Sequence, residues 1–310
     1  MNCGYAALTR QWPQTAAMWG TLADMHSVGL VLHPKRDSAT AVAAVLDWAR
    51  KREIEIFGIV DELERVDCSA TGVTAEELGR RSDLLVSLGG DGTMLRAMRL
   101  ADRQRGQVLG VNLGKLGFLA EVDVPDLADA LSAIDRHEFS IEPRLAVDAV
   151  LGGRTVTAFN DVAVVRVPGD GSAVVAVRVA GQRFVSYAAD AVIVATPTGS
   201  TAYSFSAGGP ITSPAVEALL VTPAAPHSAF NRGVVISVED TVALEILPTS
   251  GRLAVEVDGQ VAGYVQPGDV VELKARPGAA RVVRLGKTTF YQRARRKLRL
   301  SDSAEIPWGS

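Results

Sequence analysis

Between Val28 and Ile134 the chain keeps switching between short apolar runs and apolar residues at helical spacing; beyond Arg144 the switching stops. Val28–Leu32, Ile54–Val60, Leu84–Leu88 and Val108–Val111 are strand-length runs with little polar alternation, as in strands covered on both faces. Between them, Val42, Val45, Leu46 and Ala49, then Met94, Leu95, Met98 and Ala101, then Leu127, Ala130, Leu131 and Ile134 recur at the spacing of one helix face. Asp37 or Ser38 is placed to cap the first helix, and Thr74-x-x-Glu77 reads as a capping box on a short one. Strands that alternate with helices need crossover connections, so this half predicts a parallel sheet with helices packed on it.

From Arg144 onward short strands follow one another. Leu145–Leu151 and Thr155–Phe159 flank Gly152-Gly153, and Val174–Ala180 and Arg183–Tyr187 flank Gly181-Gln182, two hairpin signals. Val192–Thr196, Val234–Ser237, Val242–Leu247, Leu253–Val257 and Val270–Ala275 are further strand candidates. With 310 residues the chain is long enough for two cores. The predicted fold is α/β plus all-β: an N-terminal Rossmann-like α/β domain with a parallel sheet, then a layered β-sandwich-type domain. The expected divisions are a flexible extension at 1–24, an α/β domain at 25–143, a β-rich domain at 144–285, and a tail at 286–310 packing back on the α/β domain.

A formal charge of −3 argues against nucleic acid as a partner, since neutralising a phosphate backbone takes a basic excess. The two cysteines, Cys3 and Cys68, suggest no disulfide framework, and His26, His33, His137 and His227 show no metal-ligand spacing. A reducing cytoplasm is the expected location. No run has the length of a membrane span, so no membrane partner is expected. Arg293, Arg295, Arg296, Lys297 and Arg299 crowd the end of the chain; such a helix face could bind anions, and the plainer reading is a solvated basic face.

Two stretches carry chemistry. Gly89-Gly90-Asp91-Gly92-Thr93 lies where a buried strand ends and a helix begins. Glycines there allow a tight turn and close approach of a ligand, and a helix start offers free N–H groups to phosphate. A carboxylate in that place repels phosphate unless it faces a hydroxyl, whose proton it can accept during attack. The plainer reading is a cap. The second stretch, Asp190 to Pro210, delivers a strand into a loop of hydroxyls and glycines. Thr198, Ser200, Thr201 and Ser206 can donate to phosphate or ribose oxygens, Tyr203 offers a stacking face, and Pro197 stiffens the turn.

The first motif resembles those of diacylglycerol and sphingosine kinases, with a near variant in phosphofructokinases. The second resembles the long signature of the NAD kinase family, and so do Gly110-Val-Asn-Leu-Gly-Lys-Leu-Gly-Phe-Leu119, Phe159-Asn160-Asp161-Val162 and Asp258-Gly259-Gln260. The likeness runs from about Val28 to Leu300.

The resemblance implies phosphorylation of the 2′-hydroxyl of the adenosine ribose of NAD, giving NADP. ATP or polyphosphate would be the donor, Mg²⁺ the divalent metal, with its ligands unidentified, and the enzyme a homodimer or homotetramer. It implies that Asp91 is the base and that Gly89, Gly90, Gly92 and Thr93 lie against phosphates, with Arg96 in reach. Asn160, Asp161, Asp190, Thr198, Thr201, Ala202, Tyr203, Ser204, Phe205, Ser206 and Gln260 would bind NAD, Tyr203 against adenine. Phe118 would wall the pocket.

Four positions depart from the pattern. Asp161 replaces a frequent Glu and shortens its reach by ~1.5 Å. Ala191 replaces a frequent Gly, at a cost of about 1 kcal/mol if φ must be positive. Gly233 stands for a common Pro, and Ala188 for an Arg in some members. Two other readings are a lipid or sphingoid-base kinase and a non-catalytic NAD(P)-binding sensor.

Overall fold

The computed structural model describes residues 25–300 except 67, 105, 115 and 116. The extension at 1–24 and the last part of the tail, 301–310, lie outside the described residues.

The N-terminal elements are β1 (Ser27–Leu32), α1 (Ala39–Arg50), β2 (Glu55–Ile59), α2 (Val60–Leu63), β3 (Thr71–Val73), α3 (Ala75–Arg81), β4 (Leu84–Gly89), α4 (Asp91–Ala101), β5 (Gln107–Asn112), β6 (Val122–Asp123) and α5 (Leu127–Asp135). The parallel strands lie in the order β3-β2-β1-β4-β5. Their alternation sets the two faces. Val28, Leu30, Leu32, Leu84, Val86 and Leu88 meet α1 and α5, while Val31, Leu85 and Val108 meet α3 and α4. Thr74 and Glu77 form the capping box; at α1 it is Asp37, not Ser38, whose carboxylate accepts a backbone N–H, that of Ala39 at 2.9 Å.

The chain builds this sheet outward from β1 to β3, then returns to place β4 on the other side of β1. Loops leaving β1 and β4 therefore diverge, and a crevice opens at their carboxyl ends, the topological switch point where α/β sheets bind ligands. Leu32 is in register with Leu88, so this crevice begins at His33 and Gly89.

The remaining elements are β7 (Ser140–Leu151), β8 (Arg154–Ala158), β9 (Asp161–Arg166), β10 (Ala173–Val179), β11 (Gln182–Ala189), β12 (Ala191–Ala195), α6 (Tyr203–Ser206), β13 (Ala218–Ala224), β14 (Val234–Ser237), β15 (Val242–Ile246), β16 (Leu253–Val257), β17 (Gln260–Val265), β18 (Val270–Arg284) and α7 (Phe290–Leu298). Two antiparallel sheets face each other. Val147, Ala149, Val175, Leu244 and Leu273 from one side meet Val162, Val164, Val192, Val194, Val221 and Val255 from the other. The period of two predicted for these strands is the period that fills this core.

The strands β3, β6, β9 and β17 are additional to the sequence candidates, and other details differ as well. The β10–β11 turn is Ala180-Gly181, one residue early, both at positive φ (48° and 78°) as a two-residue hairpin turn requires. β13 was not anticipated, because Pro223 argues against a strand interior. β18 continues past Ala275 to Arg284: after a register shift between Arg276 and Ala280 it pairs in parallel with β5 at Val282 and Val108. This strand joins the parallel sheet to one layer of the sandwich.

Candidate active site

Asp91 opens α4 at the switch point, with Gly90 in extended conformation before it. Its carboxylate is held from the chain that follows β5. The Phe118 N–H donates to Oδ1 at 3.0 Å and Oδ2 at 3.1 Å, and the Leu119 N–H donates to Oδ1 at 3.0 Å. The approach is close enough to require Gly117, where a β-carbon would stand 2.8 Å from Asp91 Cγ and nearer still to Oδ1. On the other side Lys297 of α7 reaches Oδ2 at 2.9 Å, its ammonium also 4.3 Å from the Phe118 ring centre. The basic tail is therefore not merely a solvated face: Lys297 touches the proposed base, and Arg293 is buried, donating from Nε to Phe118 O at 3.2 Å.

The crevice is cationic. Arg36 lies over Gly114, whose added β-carbon would be 2.6 Å from its Nη1, and extends toward Gly90. Burial, then Arg36, Arg65, Arg96 and Lys35, hold the His33 imidazolium pKa below its ordinary value. The sequence reading passed over the His33–Arg36 loop; its cue was basic residues at the end of the strand that flanks the glycine turn. Around Gly92 there is open space, since an added β-carbon meets nothing within 4 Å.

The other candidates divide into those on the cleft and those used by the scaffold. Thr93 is buried and packs beneath Gly89. Arg96 pairs with the buried Glu62 at 2.6 Å and donates to Leu32 O at 2.8 Å, so it braces β1. Thr198 is buried and accepts from Arg144 at 3.0 Å; Ser204 shares a hydrogen bond with Thr222 at 3.0 Å. Thr201, Ala202 and Tyr203 are half-buried, and Phe205, Ser206 and Gln260 are exposed.

The turn from Phe159 to Asp161 is built by Asp258, unassigned at the sequence level beyond its motif. Its carboxylate accepts the Asn160 N–H at 2.7 Å and the Phe159 N–H at 3.1 Å, and pairs with Arg99 of α4 at 2.6 Å. Gly199 lies against the same turn, an added β-carbon falling 2.8 Å from Asn160 Cα. The hydroxyl loop and α4 are thus both fastened to the Asn160 turn. Asp161 is 3% exposed, and burial, then Asp258 and Glu256, push its carboxyl up to about 7 against a Tyr203 backbone hydrogen bond. Burial, Glu256, Asp161 and Asp190 likewise raise the Tyr203 phenol. Asp190 stands at the end of β12 away from Thr196, paired with Arg166 at 2.6 Å. Ala191 is paired in the sheet with Val165 and Ala224 and has no positive φ, so alanine carries no backbone strain there. Among the described residues no group of three or more His, Cys, Asp or Glu could hold a metal ion, and no helix is long and apolar enough to cross a membrane.

A carboxylate at a glycine-lined helix start, in a cationic switch-point crevice, is the arrangement of a phosphotransferase acting on a hydroxyl. Comparison with known proteins specifies it further. Residues 28–139 match the ATP-NAD kinase N-terminal domain, and residues 159–285 match the ATP-NAD kinase C-terminal domain. NAD kinase 1 of Streptomyces avermitilis is 38% identical, over 89% of this chain and 88% of its own. The NAD kinase of Desulforamulus reducens is also 38% identical, over 89% of this chain and 98% of its own. In structure the chain is similar to an Archaeoglobus fulgidus NAD kinase solved with ATP, with a TM-score of 0.69, 25% identity, and coverage of 88% of this chain and 98% of that one. Yeast NADH kinase solved with NADH shares the fold at a TM-score of 0.78 and 24% identity, over 92% of this chain and 90% of that one. The chain belongs to the NAD kinase family.

Proposed function

We propose that the chain transfers the γ-phosphoryl group of ATP to the 2′-hydroxyl of the adenosine ribose of NAD, making NADP. The observation that carries the assignment of roles is the Asp91 carboxylate, fixed by two backbone N–H groups at the mouth of the crevice with open space beside it at Gly92. Phosphoryl transfer needs alignment and charge neutralisation more than covalent help. Asp91 takes the hydroxyl proton as the 2′-oxygen attacks. The N–H groups starting α4, with Arg36, receive phosphate oxygens at the switch point. Asn160, Asp161, Thr201, Ala202 and Tyr203 hold the adenosine end, with Phe205, Ser206 and Gln260 at its rim and Asp190 beyond Tyr203.

One carboxylate does not make a metal cage. The set therefore suits a divalent ion such as Mg²⁺ that arrives on the donor phosphates with its own water, the usual habit of that ion. Polyphosphate offers the same chemistry as ATP and belongs to the same reading. A homodimer or homotetramer would cover Val235, Val261 and Tyr264, which are exposed on the edge strands β14 and β17. The reaction is set in the cytoplasm.

The test is to incubate the purified protein with NAD, Mg²⁺ and either ATP or polyphosphate, and to measure NADP with an NADP-specific dehydrogenase. NADP formation supports the reading and names the donor. NAD binding without NADP from either donor would replace it with a sensor.

A further inference from the structure

We infer that Lys297 is a catalytic residue whose ammonium binds the phosphoryl group during its transfer; the inference rests on the reading of Asp91 as the base. The residue comes from α7, 206 positions away in sequence, yet its Nζ is 2.9 Å from Asp91 Oδ2. Each oxygen accepts two donors: Oδ1 takes the Phe118 and Leu119 N–H groups, and Oδ2 takes the Phe118 N–H and the ammonium. Both donors on Oδ1 are fixed backbone, whereas one of those on Oδ2 is a flexible side chain that can turn to a substrate and leave this oxygen to the hydroxyl.

The helix is built to bring the ammonium there. Thr289 and Gln292 cap its start reciprocally. Arg293 and Lys297, four apart, share one face. Arg293 is buried and ties that face to Phe118 O and, at 2.7 Å, to Thr288 O. Phe118 therefore receives α7 through its carbonyl, presents its ring to Lys297, and holds Asp91 through its N–H. An ion pair serving stability alone contributes little when partly exposed, and it needs no such seating on the base.

Position then decides the role. A hydroxyl giving its proton to Oδ2 lies about 3 Å from it, and the phosphorus lies about 3–3.5 Å from the attacking oxygen. An ammonium on the same Oδ2 is then next to the equatorial oxygens of the phosphoryl group. Lysine suits this better than arginine, because a compact ammonium on a flexible stem can swing from carboxylate to phosphoryl without losing a planar pairing. In the step, the 2′-oxygen–phosphorus bond forms and the phosphorus–oxygen bond to the leaving diphosphate breaks. The leaving oxygen keeps the electron pair, the hydroxyl proton passes to Asp91, and Lys297 keeps all three of its protons and donates hydrogen bonds.

The test is Lys297→Ala and Lys297→Arg in the full chain, with NADP formation and thermal melting measured together. Lys297→Ala should lower kcat about 100-fold, the usual effect of removing one transition-state donor. The KM for NAD and the melting temperature should barely move, and Lys297→Arg should recover part of the rate. Ethylammonium should restore the alanine variant saturably, and tetramethylammonium, which has no N–H, should not; a purely structural lysine would show no such rescue. A kcat for Lys297→Ala within about threefold of wild type overturns the inference. So does a rate loss that follows a fall in melting temperature without amine rescue. Asp91→Asn, assayed alongside, separates the two readings: if it is inactive while Lys297→Ala is not, only the role of Lys297 fails.

Discussion

Gly117 has no chemistry of its own, yet replacing it by alanine should disable the enzyme through Asp91. The added β-carbon would stand 2.8 Å from Asp91 Cγ, whereas carbon atoms in contact normally sit at about 3.5–4.0 Å. The carboxylate must therefore recede by about 1 Å. Displacement of that size is enough to lose the Phe118 and Leu119 N–H bonds, now at 3.0 Å, and a misplacement of about 1 Å costs about 100-fold in rate. Overpacking should also cost about 1–3 kcal/mol of stability. Gly92→Ala is the matched control: its β-carbon meets nothing, so melting should be unchanged, and any effect should be confined to the KM of NAD or donor. The coupled NADP assay and a melting curve on both variants decide the matter. A Gly117→Ala enzyme with kcat within about threefold of wild type would refute the claim that the position of this carboxylate governs the rate.

Asp161 and Arg96 give two further expectations. Burial first, then Asp258 and Glu256, raise the folded Asp161 carboxyl to about 7, above an unfolded value near 3.9, so the native state keeps a proton that the unfolded chain releases. Wild-type stability should therefore fall relative to Asp161→Asn by about 1.4 kcal/mol per pH unit up to about pH 7, then level off. Urea midpoints at pH 5.5, 6.5 and 8 check this, and a constant gap would contradict it. Arg96→Ala leaves the buried Glu62 without its guanidinium and should cost on the order of 2 kcal/mol, less than a fully buried pair because Arg96 is a third exposed. Its KM for NAD should change little; a tenfold rise without lost stability would make Arg96 a ligand contact instead.

Local patterns in the sequence mark the strands and helices well because each carries its own period. The parallel strands announce themselves as unbroken apolar runs, and the sandwich strands as alternations around glycine turns. What stays hidden depends on partners distant in the chain. A run of basic residues looks the same whether solvated or, as at Lys297, aimed at a carboxylate of another element. Arg96 has the spacing to reach a phosphate, but Glu62 on a neighbouring helix claims it. Asp258 follows β16 in a short turn at positive φ, and nothing local says that it organises the Phe159–Asp161 backbone. β18 contains two strand-like halves with a proline and a glycine between them, so only the sheet shows that one strand serves both layers.

The most direct test of the whole account is NAD binding and turnover measured on the same preparation of Asp91→Asn. Asparagine keeps the shape and an acceptor for the Phe118 and Leu119 N–H groups but cannot take the hydroxyl proton. NAD should bind by calorimetry with affinity close to wild type while kcat for NADP falls by about 100- to 10,000-fold, the span of general-base catalysis. Turnover equal to wild type would contradict the central claim, for the carboxylate at the switch point would then not be the base.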